Sequence, residues 1–192
     1  SVGQITEKLK QMGIGENTLV LFTSDNGGPY NMRRIPGYSS NDPFSGGKGS
    51  AAEGGFRVPT IAWWPGSIPA GTRCDLMASA VDLLPTFAGL SGEPYAAPDN
   101  RPIDGHDLSD LFRGKLPEKS ARNTFVYYTD NTEPGAPRHP RRLSAVREGK
   151  WKYYLTPQRI RLTGSEEALD VPAGALFDLE NDVAETFNVA PE

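Results

Sequence analysis

Cysteine is nearly absent from this 192-residue chain: Cys74 stands alone, so neither an internal disulfide nor a cysteine-rich zinc site can form. A solitary cysteine of this kind is expected to be buried. Long apolar runs are missing too, since Thr18 to Phe22 and Ile61 to Trp64 fall far short of the roughly 20 residues a bilayer span needs. Blocks of one charge sign are also absent, and 24 acidic residues against 20 basic ones give a net charge of -4. That balance leaves no electrostatic footprint for nucleic acid and points to small molecules or sugars as the substrate class. Ser1-Val2-Gly3-Gln4 carries no signal-peptide pattern, so an export signal would have to lie outside this chain.

The 37% hydrophobic content is enough for a real core in one domain or two small ones. Glycine (21) and proline (17) exceed average usage and cluster between Asn26 and Gly71, which marks a loop-rich stretch where chemistry is to be sought. Ile5, Leu9 and Met12 recur at helical spacing until Gly13 and Gly15 stop the pattern. Residues 18–23 then form a continuous apolar run, the pattern of a strand buried on both faces of a sheet. Helix followed by buried strand predicts an α/β architecture, in which ligand groups gather past the carboxyl ends of strands, here at Ser24-Asp25-Asn26-Gly27-Gly28.

Residues 58–64 predict a second strand with Pro59 at its start, residues 80–90 a helix with Asp82 as N-cap and Pro85 in the first turn, and residues 108–112 a shorter helix ended by Gly114. The character changes near residue 115. Short strands at 125–128, 143–147 and 150–155, the last two joined through Glu148-Gly149, predict a small antiparallel sheet, to which 175–179 adds a strand. The domain boundary is therefore set between residues 115 and 116, with an α/β portion before it and an antiparallel β subdomain after it.

Asp25 and Asn26 supply a carboxylate and an amide carbonyl from adjacent positions, oxygen donors of the kind hard cations take. On its own, Asp-Asn-Gly-Gly is also ordinary turn chemistry. Gly46-Gly47-Lys48-Gly49-Ser50 places one cation where backbone can approach a tetrahedral anion closely, with a solvated loop lysine as the plainer reading. It is not a Walker A motif, because Gly49 follows Lys48. Glu53 and Arg57 are expected to hold the loop by ion pairing rather than to touch substrate. His106 is placed in a turn before a helix, and His139 in a basic, proline-rich loop. Tyr127, Tyr128 and Trp151 could line a sugar or aryl pocket, although aromatic residues in short strands are more often core.

Taken in order, Leu19 to Gly27 (LVLFTSDNG), Gly47 to Pro59 (GKGSAAEGGFRVP), Ala62 to Gly66 (AWWPG), Asp82 to Thr86 (DLLPT) and Asp104 to Leu108 (DGHDL) resemble the sulfatase family of the alkaline-phosphatase-like superfamily. Arylsulfatase-like and N-acetylgalactosamine-6-sulfatase-like members are the nearest in pattern. Residues 145–152 and 176–182 extend the resemblance almost to the end. It implies the C-terminal part of a mixed α/β sheet flanked by helices, plus a small antiparallel subdomain. It also implies that Asp25 and Asn26 are two ligands of a divalent cation, usually calcium, and that Lys48 contacts the sulfate group.

Family members carry a C/S-x-P-x-R motif, oxidised to formylglycine, in their N-terminal half. Arg73-Cys74-Asp75-Leu76-Met77 lacks the proline and arginine at the required offsets, so Cys74 is not promoted to nucleophile. The resemblance therefore implies part of a sulfuric-ester hydrolase acting on a sulfated small molecule or glycan, with this chain inactive alone. The N-terminal half would be supplied by a second chain or by sequence outside this one, and without it strand edges and an apolar face would lie open. A phosphate or phosphonate ester hydrolase of the same superfamily and a non-catalytic carbohydrate-binding module derived from a sulfatase are the alternatives. The family habit suggests a periplasmic, secreted or lysosomal setting.

Overall fold

The computed structural model describes residues 1–29, 39–93, 95–98, 100–129, 142–163, 165 and 167–191. His139 and most of the basic loop around it lie outside the described residues. Two compact units emerge, and they do not follow the 115/116 boundary: one combines Ser1–Phe22 with Thr60–Asn123, the other Thr23–Pro59 with Thr124–Glu192. The glycine-rich segment is thus grouped with the C-terminal strands because it packs on them, as the contacts below show.

In the first unit, α1 (Val2–Gln11) forms where the apolar spacing predicts it, with Lys8 and Lys10 in the last turn, where they complement the helix dipole. None of its residues is buried. A 3-10 turn at Gly15–Asn17 leads to β1 (Val20–Phe22), and the Trp64 indole N–H donates to Glu16 O at 2.8 Å. β1 pairs antiparallel with β2 (Ile61–Trp63), Phe22 opposite Ile61. The expected burial on both faces does not occur. Among the described residues β2 is the sole sheet partner of β1, and Phe22 and Ile61 are 45% and 63% exposed.

α3 (Leu83–Ser91) keeps Pro85 in its first turn, where the missing N–H costs no helical bond. Asp82 precedes it but does not cap it through its side chain. Its buried carboxylate instead takes the N–H groups of Ser79 (2.7 Å) and His106 (2.9 Å) and the Arg122 guanidinium (2.5 Å). Burial works against that charge, yet Arg122 and the two N–H groups hold the carboxyl below its ordinary range. Thr86 Oγ1 accepts from Leu108 N (2.9 Å), which fixes the turn carrying His106 ahead of α4 (Ser109–Phe112). Cys74 is exposed rather than buried, because it lies in an irregular stretch, 71–75, that is solvent-facing throughout.

The second unit contains α2 (Glu53–Phe56) and six strands, β3 (Thr124–Thr129), β4 (Arg142–Glu148), β5 (Trp151–Tyr154), β6 (Gln158–Arg161), β7 (Ala168–Val171) and β8 (Leu176–Asp178). Strands β3-β4-β5-β8 form one antiparallel sheet and β6-β7 a separate hairpin. Glu148 pairs with Trp151, so the tight connection is Gly149-Lys150, one position later than the composition suggests. The core gathers Ala51, Ala52, Tyr127, Tyr154, Ile160 and Phe177, with edge-to-face contacts of 4.9 Å between Phe56 and Tyr127 and 5.7 Å between Tyr154 and Phe177. Tyr127 is core, whereas Tyr128 and Trp151 are about half exposed on the opposite side of the pleat. No helix among the described residues is long and apolar enough to cross a membrane.

Candidate functional site

Asp25, Asn26 and Lys48 all belong to the second unit. The backbone that carries them is stitched together at short range. Gly27 N donates to Gly55 O at 3.1 Å, and Lys48 N donates to Gly28 O at 3.2 Å. The Asn41 side chain brackets the same turn: its Oδ1 accepts from Gly28 N (2.7 Å) while its Nδ2 donates to Gly28 O (2.9 Å) and Gly46 O (3.0 Å). One amide therefore joins the Asp25-Asn26 turn to the Lys48 loop, using both faces of its donor and acceptor capacity.

Close backbone approach explains the glycines. A Cβ on Gly27 would lie 1.7 Å from Gly54 O, and one on Gly54 would lie 2.5 Å from Ser45 O and 2.7 Å from Gly46 O. No side chain fits either place without moving backbone. α2 forms despite two glycines in four residues because those glycines let three backbone segments converge on it.

At the surface of this platform Asp25 is exposed, Asn26 half-buried and Lys48 exposed. The Asn26 amide nitrogen donates to Gly27 O at 2.9 Å, which leaves its carbonyl oxygen as the atom with acceptor capacity for a cation. A carboxylate beside an amide oxygen is a donor set that suits a hard divalent cation. It is an incomplete one, because no cluster of three or more His, Cys, Asp or Glu that could hold a metal occurs among the described residues. His106 stands in the other unit, exposed, with its N–H on Asp82.

Beneath the platform lies a buried ionic cluster that sequence reading found only in part. Glu53, at 1% side-chain exposure, meets Arg57 at 2.7 Å as expected, but also Arg147 at 3.2 Å and the buried Lys152 at 2.9 Å. Lys152 uses its three N–H donors on Glu53 Oε1, Ala51 O (2.7 Å) and Glu185 Oε1 (2.8 Å). Glu185 in turn accepts the backbone N–H of Glu53 at 2.6 Å and the Tyr154 hydroxyl at 2.6 Å. Tyr127 donates its hydroxyl to Glu53 Oε1 at 2.7 Å.

The environments of the two carboxylates push them apart. Burial disfavours the Glu53 charge, but Lys152 and Arg57, with the Tyr127 hydrogen bond, outweigh it and bring the carboxyl down to about 2. Among the described residues Glu185 pairs with Lys152 alone, so burial prevails and, with the nearby Glu53 charge, holds its carboxyl above the ordinary range. Burial and the adjacent carboxylates also push both tyrosine hydroxyls up, so Tyr127 and Tyr154 stay neutral donors. The two-residue period of a strand puts Lys152 on the same face as Tyr154, and that is the one sign of it the sequence offers. Glu185 and Asn41 carry no comparable sign.

A family model described as Sulfatase matches residues 1–93. Arylsulfatase A from Homo sapiens is 37% identical over 200 residues, covering 98% of this chain and 36% of its own length. N-acetylgalactosamine-6-sulfatase from Canis lupus familiaris is 48% identical over 156 residues, covering 81% of this chain and 27% of its own. Among solved structures, PsFucS1 sulfatase from Pseudoalteromonas sp. superposes with a TM-score of 0.74 at 29% identity, over 98% of this chain and 36% of that one. The chain thus spans about a third of the length of the curated relatives it matches. The α/β architecture with its antiparallel sheets agrees with that of the sulfatase structures.

Proposed function

This chain belongs to the sulfatase family, and we propose that it is the C-terminal part of a protein that hydrolyses sulfuric esters, supplying part of a cation and sulfate site. One observation supports the reading most directly. Gly27 N on Gly55 O and Lys48 N on Gly28 O give the Asp25-Asn26 turn and the Lys48 loop a common backbone scaffold, so a cation-binding pair and an anion-facing ammonium can serve one ligand.

In this reading Asp25 and Asn26 hold a divalent cation, calcium by preference, through a carboxylate and an amide oxygen. When bound, that ion would draw charge from a sulfate oxygen as the ester S–O bond breaks. Lys48 presents its ammonium to the same developing charge, a preorganised electrostatic role. Neither Asp25, Asn26 nor Lys48 attacks sulfur. The nucleophile, a formylglycine, and the remaining cation ligands are assigned to an N-terminal half supplied as a second chain or as sequence outside this one, so this chain alone is expected to be inactive. The substrate is a sulfated small molecule or glycan, and the setting periplasmic, secreted or lysosomal.

The test uses the full-length protein on an aryl sulfate and, side by side, on the corresponding aryl phosphate. Sulfate hydrolysis should dominate, and Asp25→Ala and Lys48→Ala should each lower kcat/KM roughly 100-fold or more. Sulfatase activity that survives both substitutions undiminished would remove the roles given to these residues.

A further inference from the structure

The buried cluster connects the segment after β8 to the loop that carries Lys48. Glu53 N, the first N–H of α2, is held by Glu185 Oε2 at 2.6 Å, and the preceding Ala51 carbonyl is held by Lys152 Nζ at 2.7 Å. Two polar groups at the start of α2 are thus fixed by side chains from β5 and from the segment after β8. Residues 51–55 in turn fix the site: Gly54 N donates to Ser45 O at 2.8 Å, Gly55 O accepts from Gly27 N at 3.1 Å, and Ser50 Oγ accepts from Ala52 N at 3.2 Å and Gly47 N at 3.4 Å. Gly47 and Ser50 flank Lys48.

We propose that Glu185 is a positioning residue for sulfate binding, acting through α2 to set the loop that presents Lys48. The proposal rests on the sulfate role given to Lys48 above. Glu185 is fully buried and cannot touch a substrate. Its backbone adopts φ 58, an uncommon conformation for a non-glycine residue, and the turn around it is tied down by Asp182, whose Oδ2 accepts from Thr186 N and Phe187 N at 2.8 Å each. Both carboxylate oxygens are committed, Oε2 to the Glu53 N–H and Oε1 to Lys152 and Tyr154. A group that only filled space would need neither that conformation nor that set of partners.

The experiment measures inorganic sulfate binding to the full-length protein by calorimetry, in a cycle of wild type, Glu185→Ala, Lys48→Ala and the double variant. Glu185→Ala should weaken sulfate binding roughly ten-fold in the wild-type background and have little effect once Lys48 is gone, because the two act in series. Glu185→Gln keeps one acceptor for the Glu53 N–H but turns an NH2 toward Lys152 and Tyr154, so it should recover only part of the loss. Val171→Ala, a core change in β7, serves as a control of matched thermal stability and should bind sulfate normally. If Glu185→Ala does not fold, Tyr154→Phe replaces it, since the Tyr154 hydroxyl donates to Glu185 Oε1 at 2.6 Å.

Equal losses in both Lys48 backgrounds, or a loss no larger than that of the stability-matched control, would overturn the proposal while leaving the sulfate role of Lys48 standing. A Lys48→Ala protein that binds sulfate like the wild type would instead remove that role, and the positioning proposal with it.

Discussion

Lys152 Nζ and Glu53 Oε1 meet at 2.9 Å with side-chain exposures of 0% and 1%, a lysine and a glutamate shut away from water inside a small antiparallel sheet. A buried pair of this kind is held by mutual attraction against a large desolvation cost, so removing one member is worse than never having had the pair. Lys152→Ala should therefore destabilise the full-length protein by about 3–5 kcal/mol, because Glu53 and Glu185 lose their common cation. Denaturant unfolding measures it, and a loss under about 1 kcal/mol would contradict the assignment.

Acid stability follows from Glu53. Its carboxyl titrates near 4.5 when unfolded and at about 2 when folded, so the folded state releases the proton more readily. That contribution is complete above 4.5 and is lost as pH falls from there toward 2. Glu185 runs the other way, since its raised carboxyl binds the proton more tightly in the folded state and favours folding as it protonates. Glu53→Gln should flatten the acid limb of the unfolding midpoint against pH, and an unchanged limb would assign acid sensitivity to other groups.

Gly27 has no room for even a methyl group, with Gly54 O at 1.7 Å from where a Cβ would sit. Gly27→Ala should part the Asp25-Asn26 turn from α2 at a cost of roughly 1–3 kcal/mol. Hydrogen exchange gives the local readout: the Gly27 and Lys48 amides should lose protection while those of β4 and β5 keep theirs. Retained protection at both loop amides would show that the turn tolerates the change.

Asn41 is the remaining lever on this loop. Asn41→Ala deletes three hydrogen bonds to Gly28 and Gly46 and should cost about 1–3 kcal/mol through the unsatisfied groups it leaves. Asn41→Asp keeps the acceptor for Gly28 N but not the donors, and should fall between alanine and wild type. Equal stability of all three proteins by thermal unfolding would mean solvent replaces the bracket at no cost.

Most elements were legible in the sequence, and the misses share a cause. α1, α3 and α4 show helical apolar spacing and β3 to β5 short runs rich in β-branched and aromatic residues, and the structure has them with ends shifted by one to three residues. α2 is Glu-Gly-Gly-Phe, which has no helical preference and forms only because backbone from residues 27 and 45–50 packs against it. β6 and β7 hold one fully inward apolar residue each, Ile160 and Val171, too few to mark a period. β1 misled in the opposite sense, because a continuous apolar run predicts burial whether or not a neighbouring strand is present to provide it.

For the candidate site, Asp25, Asn26, Lys48 and Glu53 stand out by residue type and glycine context. What joins them stands out less: strand period gives the face of Lys152 but not its partners, and Asn41 and Glu185 act through distances that no linear spacing records. The separation between Glu53 and Glu185 is 132 positions, which only folding closes.

That separation bears on where the polypeptide can be cut. A chain trimmed back before Asp182 would retain every side chain with any chemistry to offer, together with all of β3 to β8. It would lose Glu185 and leave Lys152 and the first amide of α2 without their deepest partner. Proteolytic cleavage between Asp178 and Glu185 should therefore damage ligand binding at a distance, although a boundary chosen by catalytic content alone would count the segment after β8 as dispensable.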